Sequence, residues 1–276
     1  MKTETAELEI KQKKRFAFGK NWTNFLNSLD EERIIEAERS LSTMLGVDTL
    51  KGKRFLDAGS GSGLFSLAAY RMGAEVYSFD FDPMSVECTN ELKRRYHDGQ
   101  RMWNISQGNL LDKEWLESLG QWDIVYSWGV LHHTGAMFEA MGNVAPLVKE
   151  GGCLFISIYN DQGRRSKLWR FVKKAYSGGS LITRFFLISV CLPLLWGFSF
   201  VRGLFTKCNP LYYWNEYKKK RGMSPWHDVV DWVGGYPFEV AKPEEIFEFF
   251  FSRGFSLTRL YTCGRGHGCN QFVFKK

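Results

Sequence analysis

Asp57, Gly59, Gly61, Gly63 and Asp80 carry the first recognisable chemistry in this sequence. A short apolar run, Phe55-Leu56, stops at Asp57, and the glycines follow at alternate positions, with Ser60 between the first two. Glycines so spaced give a tight turn and let a ligand approach the backbone with no Cβ in the way. Asp80 ends the next β-rich run, about 20 residues past the turn, where a carboxylate binds the two hydroxyls of a ribose. Nicotinamide and flavin sites share the glycines, but their turn packs against a pyrophosphate. Asp57, at the mouth of the turn, would repel phosphate. It suits a ligand with an amino group and a sulfonium charge.

A second set follows a later β-rich run, WDIVYSW, in Gly129-Val130-Leu131-His132-His133-Thr134. Histidine titrates near neutrality and serves as general base when a hydroxyl or an acidic carbon is the acceptor. The alternative for His132 and His133 is to hold the loop by hydrogen bonds or to pack beside the ligand. Trp22, Tyr159, Asn160, His227, Tyr236 and Arg265 are candidates for the acceptor site, with Arg265 suited to an anionic group. His227 and Asp231 are four apart and share a face if helical. Glu239 is a further polar candidate. Cys263, His267 and Cys269 lie in a glycine-rich hairpin, where three ligands make a poor zinc site. No metal is expected.

The elements that must position these groups alternate. Strands are expected near Phe55–Asp57, Val76–Phe79, Trp103–Gln107, Trp122–Trp128 and in CLFISIY after a Gly151-Gly152 turn. Helices are expected over Leu64–Met72, from Pro83 to about Tyr96, over Met137–Val148 and over Pro243–Ser252, and two late strands flank CGRGHGC. Alternating strands and helices call for a parallel sheet. Ligands of such sheets bind at the carboxyl ends of the strands, where Asp57, Asp80, Asn109, Ser127, His133 and Tyr159 all fall.

DAGSGSG followed by FDFDP closely resembles motif I and its acidic partner in the class I S-adenosylmethionine (SAM) methyltransferases. The resemblance covers residues 50–160 strongly and 240–276 weakly. It implies a Rossmann-like α/β fold, a seven-stranded, mostly parallel sheet of order 3-2-1-4-5-7-6 with helices on both faces. It implies that Asp57, Gly59, Ser60, Gly61 and Gly63 hold the methionine half of SAM, with Ser127 nearby. Asp80 would hold the ribose, and Phe81, Asn109 and Leu110 would flank the adenine. SWGVLHHTG resembles the same stretch of quinone-biosynthesis methyltransferases, which carry Glu-x-x-Glu-His there. Gly129, His132 and His133 stand at those positions, so the metal-binding acids are missing. The Asn/Asp-Pro-Pro-Tyr/Phe signature of amino-methylating enzymes is absent, which favours O- or C-methylation.

Three regions are expected: an N-terminal helical cap over 1–49, the SAM-binding core over 50–160 and 243–276, and an insertion over 161–242. In the cap, acids after Leu29 mark a helix start, and Ile34, Ala37 and Leu41 share a face. Phe16 to Trp22 either packs on the sheet edge or folds over the cofactor. Long excursions inside a compact domain are usually functional, and in the resembled family this one commonly forms a substrate lid. Between Arg184 and Arg202 lie 17 uncharged, mostly apolar residues, interrupted by Pro193 and Gly197. A buried or lid helix is expected ahead of an interfacial helix at a membrane through 181–205, and both ahead of a span. The aromatic, partly apolar insertion predicts a small or lipid-like acceptor. Net charge of +7 keeps a tRNA or protein substrate, or a membrane-surface quinone or lipid-linked one, as alternatives. No nucleic-acid module is visible, so nucleic acid is not the expected partner. Six scattered cysteines and an N-terminus without an apolar signal core read as a cytoplasmic protein, or one peripheral at the membrane.

Overall fold

The computed structural model describes residues 29–221, 225–264 and 268–276, together with Gln12, Phe16, Gly19, Trp22 and Leu26. The side chains of 217–221, 225, 227, 228 and 231 fall outside the description.

Seven strands form one sheet of order β3-β2-β1-β4-β5-β7-β6. They are β1 (Arg54–Ala58), β2 (Glu75–Asp80), β3 (Trp103–Gln107), β4 (Trp122–Trp128), β5 (Val148–Tyr159), β6 (Ser256–Tyr261) and β7 (Cys269–Lys275). The first five run parallel, with Asp57 beside Ser78 and Tyr126. β7 pairs antiparallel to β5 and β6. The expected order and helical insertion are therefore present.

Around the sheet lie α1 (Glu31–Leu45), α2 (Leu64–Arg71), α3 (Pro83–Tyr96), α4 (Lys113–Ser118) and α5 (Met137–Val144). Side-chain oxygens start three of them: Asp30 accepts from Arg33 N, Asp82 from Met84 N and Asp112 from Trp115 N. Two apolar clusters cover the sheet. One holds Leu56, Val125, Met141, Phe250 and Phe272; the other holds Ile34, Leu41, Phe55, Leu67 and Trp103. Arg71 of α2 pairs with Glu31 and Glu38 of α1 at 2.6 and 2.7 Å, tying the cap to the core.

Two boundaries differ from expectation. The helix from Met137 ends at Val144, and Ala145–Leu147 tightens into a 3-10 turn around Pro146, which has no N–H to continue it. Gly151-Gly152 is not a turn into β5 but lies inside it. Pairing with β4 slips between Val148 and Cys153, and a Cβ on Gly152 would stand 2.8 Å from the Lys149 carbonyl.

Among the described residues the insertion forms four helices, α6 (Arg164–Gly178), α7 (Leu181–Lys207), α8 (Tyr212–Arg221) and α9 (Pro225–Gly234), before the final α10 (Pro243–Phe251). Pro193 and Gly197 do not interrupt α7, which runs 27 residues unbroken, with the Pro193 ring on its exposed side. Nor is α7 a buried helix: only 11% of its most apolar window is covered. α6, α7 and α9 share a small apolar core around Cys191, Val229 and Val233.

Candidate active site

The carboxyl ends of β1 and β2 form a polar cradle. Gly59 N and Ser60 N donate to Phe79 O at 2.9 and 3.0 Å, which closes the turn against β2. Gly59 has φ +98°, and a Cβ there would lie 2.5 Å from both Val130 methyls. Gly63 has φ +81°, and its Cβ would meet the Thr89 backbone at 2.9 Å. Both positions therefore exclude any side chain. Ser60 Oγ bonds Thr89 Oγ1 at 3.0 Å, securing the turn to α3.

Asp57 is buried, and a chain of hydrogen bonds fixes it. Trp103 Nε1 donates to Ser78 Oγ (3.0 Å), Ser78 Oγ to Ser66 Oγ (2.7 Å), and Ser66 Oγ to the Asp57 carboxylate (2.5 Å). Burial pushes the Asp57 carboxyl up to about 7, the Ser66 bond opposes this, and the Asp80 charge adds to it. Asp80 accepts from Gly61 N and Asp82 N, both at 2.9 Å, so one carboxylate joins the turn to the start of α3. Asn109 Oδ1 accepts from Leu111 N at 3.0 Å, and the Leu110 carbonyl accepts from Asn143 at 3.0 Å. These bonds hold the loop after β3. Phe81 is half-buried, and its carbonyl accepts from Gln107 at 3.0 Å. Ser127 is fully buried, and its hydroxyl donates to Ala58 O at 2.7 Å. It links β4 to β1.

The N-terminal segment crosses this cradle. Gly19 N donates to Asp82 Oδ2 (2.9 Å), and a Cβ on Gly61 would meet the Trp22 indole at 3.2 Å. Phe16 N donates to Tyr236 O at 2.9 Å. Phe16 thus meets the end of the insertion, while Gly19 and Trp22 meet the start of α3 and the glycine turn. Trp22 stands on the glycine side, away from the expected acceptor site.

The ends of β4 and β5 are different in kind. His132 is fully buried. Neither ring nitrogen meets a partner at hydrogen-bond geometry, though the Ser157 backbone lies close. Burial first, then the neighbouring His133 and the Lys173 cation, hold its pKa well below the ordinary imidazole value. Its ring centroid is 4.0 Å from Tyr159. His133 keeps 8% of its surface open. Its Nδ1 lies 2.6 Å from Pro237 O, and a carbonyl only accepts, so Nδ1 carries the proton and Nε2 is the basic nitrogen of the neutral ring. Glu239 N donates to His132 O at 3.0 Å, and the Glu239 carboxylate accepts from Met137 N at the start of α5. Burial raises the Glu239 pKa against these bonds.

Tyr159, Asn160, Trp169, Trp232 and Phe238 line a small cavity of about 10 Å³ between β5 and the insertion. Asn160 reaches it, but its amide is engaged: Nδ2 donates to Gly264 O and Oδ1 accepts from Asn270, both at 3.0 Å. Tyr236 touches the segment above through its carbonyl. His227 lies on α9 with its side chain outside the described residues, and Arg265 and His267 lie outside them altogether. Among the described residues no group of His, Cys, Asp or Glu could hold a metal ion.

Lys173 is the residue the sequence reading missed. It is fully buried on α6 and donates to Trp232 O. Its ammonium lies 4.6 Å from the Trp232 ring, 4.8 Å from Phe238 and 5.9 Å from Tyr159. The signal was present: Ser166, Lys173 and Ser177 follow the inward stripe of a helix, so Lys173 is not on its solvent face.

A family model described as a methyltransferase domain matches residues 29–191, over half of the chain. The chain belongs to this family. Its methyltransferase domain has the Rossmann-like fold of the class I SAM-dependent enzymes. Among curated relatives, the ribosomal protein L11 methyltransferase of Anoxybacillus flavithermus is 31% identical over 120 residues, 38% of either chain. That of Bacillus subtilis is 28% identical over 157 residues, 52% of this chain and 48% of its own. The chain thus spans less than half the length of these relatives. Among solved structures, magnesium protoporphyrin IX methyltransferase from Synechocystis PCC 6803 with bound SAH has a TM-score of 0.53 at 17% identity, covering 88% of this chain and 83% of its own. An O-methyltransferase family protein from Burkholderia thailandensis has 0.51 at 15%, covering 81% and 51%. At these identities the likeness is one of fold. The cradle fits the cofactor: two glycine positions that a Cβ would fill, a buried acid at the turn, and a second acid at the end of β2.

Proposed function

We propose that this enzyme methylates an oxygen or an acidic carbon of a small, partly apolar acceptor held between β5 and the insertion. SAM supplies an electrophilic methyl group on a sulfonium. Asp57 with the Gly59–Gly63 turn would hold the methionine end of SAM, Asp80 its ribose, and Phe81, Asn109 and Leu110 its adenine. His133 would take the acceptor's proton on Nε2. His132, neutral and buried against Tyr159, would position that ring and not touch the acceptor. Trp169, Trp232 and Phe238 would exclude water from the apolar part of the acceptor.

The observation that carries this reading is the Nδ1 contact of His133 with Pro237 O. It leaves Nε2 as the basic nitrogen of a ring whose centroid lies 5.5 Å from that of Tyr159, a wall of the cavity. The test begins with methyl-labelled SAM and a solvent extract of the source cells, with label expected in a small molecule. With that acceptor, His133→Gln should lower kcat by about 10² to 10⁴ and remove the acidic limb of the pH profile. SAM affinity should not change. An unaltered rate would end the general-base role.

A second reading is favoured by the L11 methyltransferase relatives, whose names record a ribosomal protein as substrate. Label appearing in a protein band and not in the solvent extract would select it.

A further inference from the structure

We propose that the outer faces of α6 and α7 dock on the surface of an anionic phospholipid bilayer, whichever acceptor the cleft takes. α7 covers only its inner side: Ile188 is buried, Cys191 is buried with Val229 and Val233 of α9, and the Trp196 ring lies 4.9 Å from Trp214 of α8. The opposite side is apolar and open. Ile182, Phe185, Leu194, Phe198 and Phe205 are each 75–82% exposed. A helix on a soluble domain turns polar groups to water, and an apolar surface of this extent marks an interaction site.

Charge decides what covers it. From Gln162 to Asn215 the chain has nine Lys and Arg and not one Asp or Glu. On α6, Arg164, Lys167, Leu168, Phe171 and Lys174 are all exposed and follow one another at helical spacing on one face. The partner must therefore offer apolar depth and negative charge together, as a bilayer of anionic lipids does. A second copy of the chain would set two basic faces against each other with no acids between them. By length and composition α7 could cross a membrane, with a mean hydropathy of 1.9. Its inner side, however, is held by α8 and α9, so the helix lies in the plane of the interface, its outer side chains about 5–10 Å deep.

The test is flotation of the full chain with vesicles of equal parts phosphatidylglycerol and phosphatidylcholine. Wild type should float with them, and at least about tenfold less with phosphatidylcholine alone or in high salt. The variant Phe185→Glu, Leu194→Glu, Phe198→Glu should lose flotation by a similar factor while keeping SAM binding. The variant Lys167→Glu, Lys174→Glu, which leaves the apolar face intact, should weaken it too and supplies the reading if the first misfolds. Wild type that stays with the soluble fraction overturns the proposal. So does flotation of both variants equal to wild type, or a dimer in velocity sedimentation that the glutamates split while nothing floats.

Discussion

The two ends of the cleft are built from opposite materials. At β1 and β2 the groups are small and polar, and backbone or hydroxyl hydrogen bonds hold them: Trp103 to Ser78 to Ser66 to Asp57, and Gly61 to Asp80. At β4 and β5 the groups are large rings in contact, His132, His133, Tyr159, Trp232 and Phe238, with the Lys173 ammonium among them. The first end is a fixed cradle, in which each acceptor has its donor. The second is a packed wall, whose shape depends on how the insertion sits. One fold can thus keep one end of the cleft rigid while leaving the other to the insertion.

If the cradle is rigid, it should tolerate nothing at Gly59. Gly59→Ala adds a methyl 2.5 Å from both branches of Val130 on a backbone with φ +98°. Overpacking and the left-handed conformation together should cost about 3 kcal/mol. Isothermal titration should show SAM affinity lowered by about 100-fold or more. Adding Val130→Ala should relieve the contact but not the backbone strain, so rescue should be partial. Wild-type affinity in the single variant would mean that the turn yields as readily as the acceptor wall, and the contrast would fail.

Asp57 sharpens the comparison, because its burial sets function against stability. Its pKa is about 7 in the folded chain and 3.8 in the ordinary state. The unfolded chain therefore loses this proton first, and ionising Asp57 destabilises the fold. For this group stability is greatest below pH 4, falls as pH rises through 7, and is level above. Asp57→Asn should be nearly neutral at pH 4 and stabilise the SAM-free protein at pH 8, by at most about 4 kcal/mol. Wild-type SAM affinity should rise up to tenfold per unit as pH approaches 7 and then level. The Asn variant should bind about 10- to 30-fold more weakly at pH 8 and lose the slope. Urea denaturation and titration calorimetry across pH 5–8 check both, and a slope retained by the variant would place the titrating group elsewhere.

The same contrast explains what could be read from residues alone. DAGSGSG and FDFDP specify the cradle because its chemistry is local: a turn, an acid and a helix start within one stretch. Strands β3 and β4 matched to the residue, since Trp103–Gln107 and Trp122–Trp128 are short β-rich runs with clear ends. The end of α5 was missed because Pro146 ended the helix inside an apolar run that looked continuous. Trp103 and Ser78 gave no sign that they steady Asp57, since their bonds cross strands 25 residues apart. Lys173 looked like one more cation of a basic helix, and only the fold of 225–241 back over α6 brings Trp232 and Phe238 around it. Asn160 read as a pocket group because of where β5 ends, but its partners, Gly264 and Asn270, lie over 100 residues on.

The smallest expected effect tests whether the two ends are independent. Lys173→Met keeps the length and apolar stem of the side chain and removes the ammonium from the rings. The Trp232 carbonyl loses a charged donor, which costs about 1–3 kcal/mol, while the apolar replacement recovers part of the contact with the rings. The net loss of stability should be about 1 kcal/mol, read by urea denaturation. His132 loses one of the influences that lower its pKa, but burial is the larger cause, so its ring should stay neutral. SAM affinity should not move, because none of the ring contacts of Lys173 involves Asp57, Asp80 or the glycine turn. A fall in SAM affinity matching the fall in stability would show that the insertion and the cradle act as one unit, through the strap from Tyr236 to Phe16 and Trp22. The difference between the two ends would then be one of composition and not of mechanics.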